Sequence, residues 1–285
     1  MNNTIFDNLY QDFTKKAIRL NDYINYYLSE LFAREDPFKT VEKYCMFVGY
    51  PRSGHSLVGS LLDAHPNIIV AHELNALRYF ERGFSKRKIY YLLLRGSQRH
   101  AAAGRRETKY SYEVPNQWQG KFKSIKVIGD KKGSGTNQVL RENPDILNVL
   151  KDKIDVPIKF IHVTRNPYDN ISTMISKRNR KMAATIDSYF LKCQTITKLK
   201  TQIAPEDFFE FKHESLIENP REILHKLCVF LDVEPHQNYL DDCASIVFKS
   251  PRKTRFNIDW PEESIELVQQ QIDKVEFLQG YSYQD

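Results

Sequence analysis

GYPRSGHS, residues Gly49–Ser56, is the stretch on which the reading of the chain turns. Gly49, Gly54 and Ser56 fall in register with the phosphate-binding pattern G-x-x-x-x-G-K-[ST], but His55 stands where that pattern has lysine. The run before it, Tyr44–Tyr50 (YCMFVGY), is continuously apolar like a buried strand, and Ser56–Ala64 after it has helical spacing. A glycine turn between strand and helix is common and needs no ligand. Strand, loop and helix in this order are also what a phosphate cradle requires. Small residues at Ser53 and Gly54 let backbone N–H groups approach oxygens, and a helix N-terminus adds about half a positive charge. Arg52 can fork onto two oxygens, and the Ser56 hydroxyl can donate a further bond. The missing lysine argues against ATP or GTP hydrolysis, in which that lysine reaches the β- and γ-phosphates.

Working outward, apolar runs at Ile68–Val70, Ser124–Gly129, Ile158–Thr164 and Phe208–Lys212 read as further strands. Helical spacing marks Leu74–Arg82, Thr136–Leu150, Pro167–Arg178, Met182–Gln202, Pro220–Leu231 and Glu262–Leu278. This alternation predicts an α/β fold, a central parallel sheet flanked by helices, with ligands beyond the carboxyl ends of the strands. One domain over residues 1–285 is expected, with 1–40 as a helical extension packed on the core.

The four cysteines are widely spaced, with no C-x-x-C, which argues against a metal cluster or disulfide framework. The start, MNNTIFDNLYQDFTKK, lacks the apolar region of a signal peptide, and no 18-residue apolar run is present. A cytoplasmic protein with neither a membrane nor a nucleic-acid partner is the expectation. Net charge is +6, unevenly placed: Arg78–Lys126 holds 13 Lys and Arg against 3 acids. Such a run is either a solvated face or a field that steers an anionic donor or acceptor.

Two further blocks decide between a damaged nucleoside triphosphatase loop and a different donor. SIKVIGD ends in Asp130, as a magnesium-binding strand would, yet Lys131 and Lys132 follow at once and can take a metal's place. FIHVTRNPYDNISTM ends a strand in Arg165 and opens a helix at Pro167, with Ser172 and Thr173 both within reach of an anion. An arginine capping a sheet edge is the plainer reading of that block taken alone.

YPRSGHSLVGSLLDAHPNIIVAHE resembles the 5′-phosphosulfate loop of sulfotransferases, and the run Leu62–Pro66 is especially similar to the tyrosylprotein and bacterial branch. The Arg165 block resembles the family's 3′-phosphate motif, and FFEFKHESLIENPREILHKLCVFLDVEP resembles a third segment. The three blocks occur in the family's order. The resemblance implies a P-loop-like sulfotransferase fold and the donor 3′-phosphoadenosine 5′-phosphosulfate (PAPS), with PAP as product and no metal. It puts Glu73 at the catalytic-base position, and Lys131 at the lysine that stabilises charge near the bridging oxygen, alongside Arg52 and the loop amides, with His55 beside them as a further catalytic candidate. On the donor it implies Arg52, Ser53, Gly54, His55, Ser56, Arg165 and either Ser172 or Thr173. His72 competes locally with Glu73, since strand alternation turns only one of them to the site. His55 departs from the family's threonine; as an imidazole it can donate to an oxygen and is expected to titrate near neutral pH. His213 replaces a nucleotide-contacting tyrosine. Ser250, Arg252, Lys253 and Arg255 lie where relatives close a loop over the 3′-phosphate, and Lys132 reads as surface. The acceptor side is expected within Leu77–Gly120, the acceptor being a small polar metabolite or natural product carrying a hydroxyl or amine. Two other classes remain open at this point: a P-loop kinase or NTPase, and a non-catalytic nucleotide-binding protein.

Overall fold

The computed structural model describes residues 20–27, 35–107, 110–178 and 180–285. Most of the expected extension lies outside them; within it, residues 20–27 are helical, with Asp22 and Tyr26 buried. In chain order the elements are β1 (Lys43–Val48), α1 (His55–Leu62), β2 (Ile68–His72), α2 (Ala76–Glu81) and α3 (Lys86–Ala102). A two-residue hairpin follows, β3 (Arg106–Glu107) and β4 (Tyr110–Ser111), and then β5 (Val127–Lys131), α4 (Gly133–Glu142) and α5 (Ile146–Lys153). The rest is β6 (Ile158–Thr164), α6 (Pro167–Arg178), α7 (Met182–Lys200), β7 (Phe208–Lys212), α8 (His213–Glu218), α9 (Pro220–Leu231), α10 (Gln237–Ser245) and α11 (Glu262–Ile272).

The five long strands form one parallel sheet in the order β2-β5-β1-β6-β7. Its faces follow the two-residue period of a strand. Cys45, Phe47, Val70, Val127, Ile161 and Val163 pack on one face against α1, α9 and α10. Tyr44, Met46, Ile69, Ile128 and Phe160 pack on the other against α3 and α5. A third cluster joins α6, α7 and α11 around Tyr50 and Tyr189.

Three expectations change. The helix Thr136–Leu150 is two helices, because Asn143 precedes Pro144 and is pushed out of the helical region to φ −131°, ψ 94°. Glu262–Leu278 also splits: α11 ends at Ile272 and a separate 3-10 turn covers Glu276–Leu278. The α3 helix went unread, its apolar stripe (Ile89, Leu92, Leu93) being diluted by five basic residues from Lys86 to Arg99. The basic stretch is not a free field either. Arg78 pairs with Glu81 and Glu142, Lys86 with Asp155, Arg87 with Asp36, Arg99 with Asp22, Arg105 with Asp63 and Lys126 with Glu42. These acids neutralise much of the local excess, so long-range steering by this segment is weakened.

Candidate active site

The first loop leaves β1 at its carboxyl end and enters α1 through Gly54, which is left-handed (φ 96°). A side chain there is excluded twice over: by the φ, and because a Cβ would sit 2.4 Å from His213 Nδ1. Arg52 is also left-handed (φ 71°), and its side chain is exposed. Ser53 is buried, donates to Tyr50 O at 3.1 Å and lies 3.3 Å from the His55 ring nitrogens. Ser56 is half-buried at the start of α1.

His55 does not hang in the loop as a titrating donor. Its ring is tucked beneath the backbone, edge-on to Phe47, in space that exists because positions 49 and 133 are glycines. Burial, then His162, lowers its pKa to about 3. The expectation of titration near neutral pH is therefore overturned: the ring is neutral there because desolvation penalises its charged form.

At the carboxyl end of β6, Arg165 ties two loops together. Nη1 donates to Arg52 O at 3.0 Å and Nη2 to Arg252 O at 2.6 Å, while the buried Nε has no hydrogen-bond partner. Arg165 thus packs against the backbone of the first loop at Arg52. The two hydroxyls on α6 separate cleanly. Ser172 is buried and accepts from Trp260 Nε1 at 2.9 Å. Thr173 is half-buried, donates to Asp169 O and meets Thr254 Oγ1 at 3.0 Å. Ser250 and Arg252 are exposed, the Arg252 guanidinium lying 4.9 Å over the Tyr110 ring. Arg255 is not a loop cation: it is 1% exposed and pairs with Asp169 at 2.8 Å. His213 packs under Gly54 with Nδ1 unpartnered, and burial, then Arg165, lowers it to about 3.

The ionisable groups gather at the carboxyl ends of β2 and β5. Lys131 is 2% exposed; its Nζ donates to Ser56 Oγ (3.0 Å) and Glu73 Oε1 (3.2 Å) and lies 3.9 Å from Glu107. Burial lowers its pKa against the pull of both carboxylates. Lys132, read as surface, bonds Glu73 Oε2 at 2.7 Å. Burial would raise Glu73, but Lys131 and then Lys132 outweigh it and hold the carboxyl at about 2. Glu73 takes φ 59°, which breaks the alternation of β2, so His72 and Glu73 both turn to this cluster instead of one.

Glu107 is the member that sequence reasoning passed over. It pairs with His72 Nε2, and side-chain atoms, one nitrogen or oxygen from each of His72, Glu73 and Glu107, lie within 4.8 Å of one another. No spacing rule links residue 107 to residue 73; its one signal was being an acid in a segment crowded with cations. Asp130 faces the other way. It accepts from Leu74 N (3.0 Å) and Ala76 N (2.8 Å), pinning the turn that carries Glu73. Burial raises it to about 6 despite these bonds. A magnesium-binding role for Asp130 finds no support in that orientation.

A sulfotransferase family profile matches residues 46–237 of the 285. The chain belongs to the sulfotransferase family. The sulfotransferase domain of an olefin synthase from Synechococcus PCC 7002 aligns with a TM-score of 0.53 at 19% identity, covering 81% of this chain and 95% of that one. A sulfotransferase domain from the curacin biosynthetic pathway aligns with a TM-score of 0.51 at 15% identity, covering 83% and 98%. At these identities the likeness establishes the fold, which is the P-loop-like sulfotransferase fold. No curated protein matches the chain. The sulfotransferase is thus a transferase of sulfuryl groups, and the kinase alternative is not favoured. Among the described residues no helix is long and apolar enough to cross a membrane.

Proposed function

We propose that this sulfotransferase takes its sulfuryl group from PAPS and passes it to a hydroxyl or amine of a small polar acceptor, without a metal. The observation that carries the reading is the convergence of Lys131, Ser56 and Glu73 at the α1 end of a loop whose middle, at Arg52 O, is bound by Arg165. The residues fit such a donor: Arg165 Nε is buried and unpartnered, Arg52 is exposed beside it, and Gly54 leaves the backbone bare. Arg52, Ser53, Gly54 and Ser56 would hold the 5′ end, and Arg165, Thr173 and Arg252 the 3′-phosphate. Ser172, committed to Trp260, is set aside. His55 and His213 support the loop from beneath.

Glu73 accepts the acceptor's proton as the new bond to sulfur forms, and Lys131 stabilises charge on the leaving phosphate oxygen. Lys132 and Lys131 hold the carboxylate ionised and aimed until an acceptor arrives. Calorimetry with PAP tests the donor, and PAPS with a metabolite extract, searched by mass spectrometry for an added sulfo group, tests the acceptor. Binding of PAP and transfer that survives EDTA are expected; a protein that ignores PAP sinks the donor assignment, and a magnesium requirement sinks the metal-free mechanism.

A further inference from the structure

Glu73 gives one carboxylate oxygen to each of two lysines: Lys131 holds Oε1 at 3.2 Å and Lys132 holds Oε2 at 2.7 Å. The two cations differ in freedom. Lys131 is buried and is also tied to Ser56 at 3.0 Å. The Lys132 side chain is 28% exposed, and Glu73 is its one hydrogen-bond partner among the described residues. Lys132 stands at the entry to α4, and its stem lies across Gly135, where a Cβ would meet Lys132 Cγ at 2.8 Å and Cε at 3.0 Å. Glycine keeps that path open for the stem. Asn75 Oδ1 borders the same point, also 3.0 Å from where the Cβ would stand. That oxygen is buried and has no hydrogen-bond partner among the described residues, an arrangement that costs free energy unless a donor can reach it. Lys132 therefore has two acceptors along its path, one paired and one bare.

We propose that Lys132 is a gate on the base: resting on Glu73 Oε2 it closes that oxygen to a nucleophile, and moving to Asn75 Oδ1 it opens it. The inference rests on the donor and base roles above. Lys131 keeps Oε1 on the side of the phosphate loop, so Oε2 is the oxygen left to an acceptor. A carboxylate oxygen engaged by an ammonium is a weaker base, because the cation favours the ionised form. The closed gate thus protects bound PAPS from water. With the gate open and no acceptor present, water attacks sulfur and its proton passes to Glu73 Oε2. The bond from sulfur to the bridging oxygen breaks, its electron pair stays on that oxygen beside Lys131, and sulfate and PAP leave. A true acceptor displaces Lys132 by bringing its own hydroxyl or amine to Oε2.

PAP release from PAPS in water, with no acceptor added, is measured for wild type, Lys132→Met and Asn75→Asp, and PAP affinity is measured by calorimetry. Lys132→Met removes the cation and keeps the stem. Asn75→Asp keeps the lysine but charges its second position, at a helix N-cap that takes Asp as readily as Asn. Both variants are expected to hydrolyse PAPS about ten-fold faster than wild type, with PAP affinity within about three-fold. Adding Glu73→Gln to either should abolish the gain. Unchanged or slower hydrolysis in either variant, or a gain that survives Glu73→Gln, overturns the gate. Should Lys132→Met lose PAP binding through misfolding, Asn75→Asp decides alone. Wild-type protein that ignores PAP overturns the donor reading itself and the gate with it, a result distinct from a selective failure of the variants.

Discussion

The loop side and the hairpin side of the site hold charge by opposite means. Under the loop, His55, His162 and His213 are buried, and burial lowers the pKa of each. They are neutral packing beneath a backbone that offers N–H groups, a helix terminus and arginines to an anion. Across the site the working groups are ionised and paired. Glu73 sits between two lysines; Glu107, which burial would raise, is held at about 2 by His72 and Lys131. On the proposed reading, donor recognition is thus indifferent to pH around neutrality, whereas proton transfer depends on carboxylates that are useful only while their cations stay in place.

The strongest way to break this contrast is Glu73→Gln. Transfer to an acceptor found by the mass search should fall ~10²–10⁴-fold, with PAP affinity changed by less than about two-fold. Comparable losses in both would mean that the carboxylate belongs to the donor cradle. Next comes the hairpin's anchor. Asp63→Ala leaves Arg105 buried without its partner and should cost ~3–5 kcal/mol in denaturant unfolding. A cost below about 1 kcal/mol would show that the network does not hold the hairpin.

The smallest effect sharpens the neutral side. The folded pKa of His55 lies below its unfolded value, so its contribution to stability is whole above the unfolded pKa and is lost as pH falls toward 3. Between pH 7 and 5 that loss is about 2 kcal/mol, and His55→Gln should flatten the acid limb of stability by about this amount. PAP affinity should show no inflection across pH ~6–8 in either protein. An inflection in wild type alone would restore His55 as a titrating donor ligand.

What was legible in the sequence follows the strength of each local signal. β6, β7, α6 and α9 have the predicted bounds, since continuous apolar runs and prolines at helix starts are decided within a few residues. The sheet, the loop and the Arg165 turn were legible for the same reason. The hairpin was not: two-residue strands have no period to detect, and its position is set by Arg105 reaching Asp63, 42 residues away. The joint turning of His72 and Glu73 depends on a left-handed φ at a glutamate, which composition does not announce. Lys132 was lost for the converse reason, as the carboxylate that recruits it lies 59 residues earlier. Long-range partners placed the charges, and only short-range patterns could be read.

Trp260 gives the protein an optical probe of its own. It is one of two tryptophans; the other, Trp118, is 38% exposed. The Trp260 indole donates to Ser172, next to Thr173 on α6, and stands edge-on to Tyr168 with ring centroids 5.2 Å apart. If the proposed 3′-phosphate site beside Thr173 is the right one, any adjustment of that turn on binding reaches the indole's surroundings, and donor occupancy is expected to register in intrinsic emission, without dye, label or acceptor.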